Sequence, residues 1–204
     1  GSRRVVRGGS WNVGGSSLRS AKRINGNPSA HSQGIGFRVG FQFTGTHSVD
    51  LNASVKLDML WVEPGTFTMG SPTTEAGRGT NETEHNVTLT KGFYLGKYEV
   101  TQAQYEAVMT GNSDGLSATP SQWPNNPNRP VERVSWADAQ IFLTSLNAQQ
   151  SANIPAGWAY VLPTESQWEY ACRAGTTTAY SWGNDINATR ANYDASGLGQ
   201  TLDI

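Results

Sequence analysis

The sequence predicts a loop-rich α+β fold with short strands and about three helices. The 23 glycines and 7 tryptophans in 204 residues are typical of short elements that are joined by tight turns and held by aromatic anchors. Three helix-capping signals occur, and the apolar runs between them are short and mixed with polar residues. The tryptophans at element boundaries, expected in the core, are Trp61, Trp136, Trp168 and Trp182.

The first part of the chain, residues 1–43 (block one), reads as short strands around one polar loop. Strands are predicted at residues 5–7, 18–24 and 36–43, the last because apolar and polar side chains alternate along it. Residues 25–34 between them are dense in turn formers and predict a loop.

A polar stretch with little patterning, residues 44–56, is typical of a linker. The rest of the chain, residues 57–204 (block two), opens with two short apolar runs, at residues 59–62 and 67–69. Because Pro64 and Gly65 lie between these runs, we expect a hairpin. Further short strands are predicted at residues 93–95 and 97–100.

Three helices follow, and each begins at a hydroxyl residue that can cap it: Thr101, Ser135 or Thr164. Gln167 completes a capping box in the third helix, and Gly175 is expected to end it. The side chains expected to face the core are Tyr105, Val108, Met109, Ala139, Phe142, Leu143 and Leu146. The polar segment between the first two helices, residues 111–130, predicts a long loop of a kind that is often functional.

The charge and hydropathy of the chain exclude two classes of partner. A formal net charge of −1 provides no field that would attract nucleic acid. No apolar run approaches the about 20 residues that a membrane span needs, and no signal peptide is visible at the start.

Six phrases carry a family resemblance: RGGSW, GFRVG, GTFTMGS, KYEVTQAQY, RPVERVSW and LPTESQWEYACRAG. They resemble the formylglycine-generating enzymes and their sulfatase-modifying-factor relatives, which implies a C-type-lectin-like fold of that type. In the family the RGGSW…GFRV block closes the domain, whereas here it opens the chain. The family also continues into a GNVWEW-type segment that is absent from this sequence.

The unusual order predicts that blocks one and two form one domain, either circularly permuted or incomplete. A natural permutation, an engineered one and an excised piece of a tandem array all remain open. An incomplete domain would be completed by a partner chain, so we expect that strand exchange could produce a homo-oligomer.

Copper chemistry is not expected from this chain. The family's oxidases bind copper through two cysteines that follow RGGS, and soft thiolates suit Cu(I). Here Cys172 is the only cysteine, and it reads as a small buried side chain on the third helix. The sequence therefore predicts no formylglycine-generating activity, and an intramolecular disulfide is excluded.

Block one also resembles the variable segment of proteins diversified by retroelements, which has the form RGGSW…LRSA.R…N.GFR. The resemblance implies that residues between the fixed phrases, including Ser16, point outward and contact a ligand. Trp11, Arg19 and Arg23 look like the supporting framework, and ordinary loop surface is the alternative. The candidate ligand-binding residues are Ser10, Trp11, Asn12, Arg19, Arg23, Asn25, Asn27 and His31.

The family resemblance further implies a structural calcium site in the loop after the third helix. Asn192 and the backbone carbonyl of Tyr193 match its start, and Asp203 or Asp194 could supply the carboxylate. Oxygen ligands from loops are what Ca²⁺ prefers. The alternative is that Asn192 only caps a turn.

The favoured function is a non-catalytic domain that binds or displays a protein or glycan ligand, in an exported or cell-surface bacterial protein. The alternative is an enzyme of this family with a different active site. Glu99, Glu165, Glu169 and Arg173 are interpreted as members of ion pairs.

Overall fold

The computed structural model describes residues 3–41 and 47–204, and the chain divides into two compact units. The first unit contains residues 3–27, Pro64–Lys91 and Thr164–Thr201. The second contains the described residues of Pro28–Glu63, with Gly92–Pro163 and Leu202–Ile204. The architecture is α+β and loop-rich, which confirms the predicted fold class.

The described residues form eight strands and three α-helices. The strands are β1 (Arg4–Val6), β2 (Ile24–Gly26), β3 (Gly40–Phe41), β4 (His47–Asp50), β5 (Lys56–Val62), β6 (Gly65–Met69), β7 (His85–Leu89) and β8 (Phe93–Gly96). The helices are α1 (Gln102–Met109), α2 (Trp136–Gln149) and α3 (Glu165–Arg173). No helix among these residues combines the length and the apolarity that a membrane crossing requires.

All strand pairs in the described sheets are antiparallel. The first unit has two two-stranded sheets, β1–β2 and β6–β7, and the second has one sheet in the order β3-β8-β5-β4. The hairpin predicted from residues 59–62 and 67–69 is wrong. Strand β5 pairs with β4 and β8, because its alternating Leu57 and Met59 are buried in the core of the second unit.

The three predicted helices and their caps are confirmed. Thr101, Ser135 and Thr164 each accept a hydrogen bond from the backbone three residues on, and a reciprocal side chain completes each capping box. Helix α3 ends in left-handed backbone at Ala174 (φ 47°) and Gly175 (φ 87°), which glycine adopts readily.

The structure differs from the predicted linker. Within residues 44–56, His47–Asp50 forms β4 and pairs with β5, while residues 44–46 lie outside the described part of the chain. The imidazole Nε2 of His47 lies 2.9 Å from the hydroxyl of Tyr160, and burial lowers the pKa of His47. Polar residues thus occupy an edge strand here, because only alternate side chains of β4 face the core.

Two further strand predictions in block one are only partly met. Instead of a strand over residues 18–24, the chain forms a 3-10 helix at Gly15–Leu18 and enters β2 at Ile24. Of residues 36–43, only Gly40 and Phe41 are a strand, and residues 42–43 lie outside the described part.

The apolar core of the second unit is built on aromatic contacts. Tyr105 of α1 stacks on Phe142 of α2 with ring centroids 5.4 Å apart, and Phe37 meets both rings edge-on. The predicted inward faces of both helices are buried. Trp136 corrects one prediction: as the first residue of α2 it is 37% exposed and does not anchor the core.

Candidate functional site

The site in the first unit is built around the buried guanidinium of Arg19. After the 3-10 helix, the chain turns inward at Arg19, Ser20 and Ala21, each at most 1% exposed. The five N–H groups of Arg19 all have acceptors. Its Nε donates to the Ser16 carbonyl (3.1 Å), Nη1 to Glu75 and to Glu82 (2.8 Å), and Nη2 to the Gly77 carbonyl (2.6 Å) and to Glu82 (3.0 Å).

Glu82 is the buried counterion of Arg19. It also accepts a hydrogen bond from the Ser71 hydroxyl at 2.9 Å. Burial alone would raise the pKa of Glu82, but the hydrogen bonds from Arg19 and Ser71 and the charge of Arg19 hold it below its ordinary value. Together these contacts fix residues 71–82 (the clamp loop) against block one.

A second ion-pair network joins block one to α3. Arg7 contacts Glu165 at 2.5 Å and Glu169 at 2.8 Å, and Glu169 also pairs with Arg173 at 2.9 Å. Glu169 is fully buried and accepts a hydrogen bond from the Gly70 backbone at 2.8 Å. The prediction that Glu165, Glu169 and Arg173 form ion pairs is confirmed, and so is that for Glu99, which pairs with Arg38.

Arg23 belongs to the same support. Its guanidinium pairs with Glu165 and donates to the Asn81 carbonyl at 3.0 Å. We refer to Arg7, Arg19 and Arg23, with their glutamate partners, as the arginine frame. Arg19 and Arg23 are also predicted ligand contacts. Arg19 is 1% exposed and therefore supports the surface without reaching a ligand, which corrects that prediction. The side chain of Arg23 is 34% exposed, so its contact with a ligand stays a prediction.

The candidate contact residues of the first unit lie at its surface. Asn12, Asn25 and Asn27 are exposed, whereas Ser10 and Trp11 are half-buried. The Ser10 hydroxyl donates to the Asn12 side-chain carbonyl at 2.8 Å, so this pair is ordered locally. Asn25 lies on β2, opposite Val5 of β1.

His31 lies in the second unit, where it contacts the start of α2. Its Nε2 is 2.6 Å from a carboxylate oxygen of Asp138, and 52% of its side chain is exposed. The same oxygen of Asp138 accepts the Ser135 backbone N–H at 2.9 Å in the capping box. The loop around His31 is also held by backbone hydrogen bonds from Ala137 to Pro28 and from Arg133 to Ser32.

The predicted calcium residues have protein partners. Asn192 accepts a hydrogen bond from the Ser196 hydroxyl and donates to the Gln200 carbonyl, both at 2.8 Å. The Tyr193 carbonyl accepts the Ser196 backbone N–H, and Asp203, in the other unit, contacts Asn126 and Arg129. Among the described residues, no group of three or more His, Cys, Asp or Glu side chains could hold a metal ion.

Sequence reasoning missed the clamp loop and a cleft. Glu75 and Glu82 lie in a polar stretch that resembles solvated surface, and only their pairing with Arg19 reveals their role. The predicted long loop 111–130 borders a cleft of about 240 Å³, which Gln102 and Glu106 of α1 also line. A buried carboxylate, Glu132, braces this loop by accepting the backbone N–H of Gln122 at 2.6 Å.

The family described as Sulfatase-modifying factor enzyme 1-like domain matches residues 48–202. Chaperone protein LppX of Paenibacillus barcinonensis is 30% identical over 151 residues, with 61% of this chain and 48% of that protein covered. Formylglycine-generating enzyme of Mus musculus is 26% identical over 180 residues, with 66% of this chain and 45% of that protein covered. The chain thus spans about half the length of these curated relatives.

Two solved structures share the fold. PvdO from Pseudomonas aeruginosa has a TM-score of 0.54 at 22% identity and covers 78% of this chain and 58% of its own. Treponema denticola variable protein 1 has the same score and identity, with coverages of 72% and 63%. These similarities show the fold alone. Residues 3–41 lie outside the family match, so the permuted order stays a prediction.

The Glu82–Arg19 pair predicts a specific acid sensitivity. A carboxylate whose pKa is lowered by folding stabilises the protein above its unfolded-state pKa, and this stabilisation is lost as pH falls through the folded value. Urea unfolding between pH 7 and pH 3 should therefore show a loss of stability below about 4.5, the ordinary value. Glu82→Gln should cost about 3 kcal/mol at pH 7 and should flatten this pH dependence.

The exposed neighbour Glu84 provides the matched control for this experiment. Glu84→Gln should keep both the stability and the pH profile of the parent chain. A Glu82→Gln variant whose stability falls with acid as steeply as that of the parent would contradict the assignment.

Proposed function

Since this chain belongs to the Sulfatase-modifying factor enzyme 1-like domain family, we propose that it serves as a non-catalytic ligand-binding or display domain. The observation that carries the proposal is the division of block one into buried residues of the arginine frame and exposed residues such as Asn12 and Asn25 (the rim). Arg19 is 1% exposed with every donor satisfied, while Asn12 and Asn25, a few residues away on either side, face solvent.

This division suits ligand binding for a physical reason. Binding costs conformational entropy, and a loop that is already fixed by its own contacts loses less of it. The amide side chains of Asn12 and Asn25 carry donors and an acceptor, so they can adapt to peptide groups or to sugar hydroxyls. The Asn12 carbonyl, which already accepts the Ser10 hydroxyl, keeps one lone pair for a ligand. The rim thus combines a backbone that is hydrogen-bonded between Ser10 and Val13 and in β2 with side chains that can adapt.

The similarity to a protein named as a chaperone favours a protein ligand over a glycan, because chaperones act by binding other chains. Export or surface location suits such a role and remains part of the proposal. Exchange of strands between copies, which would give a homo-oligomer, stays a prediction.

The cysteine content of these residues argues against the copper chemistry of the family's oxidases. Cys172 is the single thiol among these 204 residues, and a copper site of two thiolates needs a second. Its Sγ lies 3.8 Å from the Ser20 hydroxyl. The residue is half-buried, which corrects the prediction of a buried side chain.

One observation favours the alternative, an enzyme of this family with a different active site. The contact of His31 with Asp138 orients an exposed imidazole against a carboxylate, which is how general bases are commonly positioned. An enzyme of this kind would turn over a bound compound and would lose that turnover in His31→Ala.

The proposal is tested by screening the chain on peptide and glycan arrays and measuring Kd for each compound that binds. Asn12→Ala combined with Asn25→Ala should weaken binding about tenfold or more, which corresponds to about 1.4 kcal/mol, without changing Tm. The matched control is Asn86→Ala, an exposed amide on β7 outside block one.

Three results of this screen would contradict the proposal. They are the absence of any bound compound, binding that is unaffected by the double substitution, and turnover of the bound compound by the chain.

Calcium binding at Asn192, Tyr193 and Asp203 stays a prediction, and calcium would have to compete with hydrogen bonds within the loop. The donors are hard oxygens, as Ca²⁺ requires, but Asn192 and the Tyr193 carbonyl already have hydrogen-bond partners in the loop. Because a ligand that binds the native state stabilises it by mass action, calcium should raise Tm relative to EDTA, and Asn192→Ala should abolish the rise. If calcium left the Tm of the parent chain unchanged, the prediction of a calcium site would be wrong.

A further inference from the structure

The clamp loop carries one arginine that the arginine frame does not use. Arg78 lies between Gly77, whose carbonyl binds Arg19, and Asn81, whose carbonyl binds Arg23. The loop also touches a predicted contact position, since a Cβ on Gly77 would lie 3.1 Å from the Cβ of Ser16. Arg78 is therefore anchored on a fixed segment beside block one.

The side chain of Arg78 is held at its base and open at its tip. Its Nε donates to the Ser71 carbonyl at 3.0 Å, and its backbone N–H donates to the Glu75 carbonyl at 3.2 Å. Within the described residues, neither terminal Nη group of Arg78 has a hydrogen-bond or ion-pair partner. Four N–H donors of a half-buried, oriented guanidinium thus remain available.

The carboxylates of the surrounding network are committed to other arginines. Glu75 and Glu82 pair with Arg19, while Glu165 and Glu169 pair with members of the arginine frame or with Arg173. The network thus contains five arginines, counting Arg78, and four glutamates. Arg78 is the arginine that no glutamate of this network pairs with.

We infer that Arg78 is the anion-binding residue of this surface and that the ligand presents a carboxylate or phosphate group to it. This inference rests on the proposed ligand-binding function. The planar guanidinium can donate to two oxygens of such a group at once. A neutral ligand group would form weaker hydrogen bonds with it. Because the clamp loop is fixed by Arg19, the fork is positioned before the ligand arrives.

The direct test is an NMR titration of the labelled chain with sodium acetate and, separately, sodium phosphate, with chloride added to hold ionic strength constant. The Nε–H signal of Arg78 and the amides of Gly77 and Gly79 should shift and saturate with at least one anion. The acetate and phosphate arms identify which anion is preferred. The shifts should be absent in Arg78→Gln and weaker in Arg78→Lys, which keeps the charge and loses the fork.

The matched control is Arg190→Gln, which removes an exposed arginine of the same unit and should titrate as the parent does. Unchanged Tm values would show that the variants are folded. Shifts that never saturate, or that persist in Arg78→Gln, would overturn the inference.

The array screen separates failure of this inference from failure of the proposed function. Bound compounds should be acidic and should bind Arg78→Gln about tenfold more weakly than Arg190→Gln. A different result would be neutral compounds that bind Arg78→Gln as tightly as the parent chain and lose affinity only when Asn12 and Asn25 are replaced. That result would contradict the inference and would still support the ligand-binding function. Compounds that need neither asparagine would instead contradict the proposed function.

Discussion

Burial of the Arg19 guanidinium is the constraint on which the candidate site depends. A charge in the protein interior is tolerated only if its donors are satisfied and a counterion lies close. Arg19 meets both demands by recruiting Glu82, Glu75 and two carbonyls. Breaking such a buried pair costs several kcal/mol, so the clamp loop and block one are energetically tied to each other.

The same arrangement explains how a loop-rich domain can present a defined surface. Short strands such as β1 and β2, of three residues each, contribute few ladder hydrogen bonds. The arginine frame supplies the missing order through charged contacts between segments that are distant in sequence. Surface residues such as Asn12 can then vary without loss of the frame, and one arginine of the clamp loop is left free to contact a ligand.

The sequence predicted features that are local and missed those that are not. The caps at Thr101, Ser135 and Thr164 were predictable because a capping box is complete within four residues. The β6–β7 pairing joins segments about twenty residues apart, and no local pattern distinguishes it from the hairpin expected at Pro64. Glu82 resembled a solvated acid, because its burial depends on Arg19, 63 positions earlier.

The most direct test of the account is a double-mutant cycle on Arg19 and Glu82, with the free energy of unfolding measured in urea at pH 7. Arg19→Leu and Glu82→Leu should each cost about 3–5 kcal/mol, because each strands a buried charge. The double variant should cost less than the sum of the two by about 2 kcal/mol or more. Effects that add within about 0.5 kcal/mol would show that the pair is not the interaction that holds block one to the clamp loop.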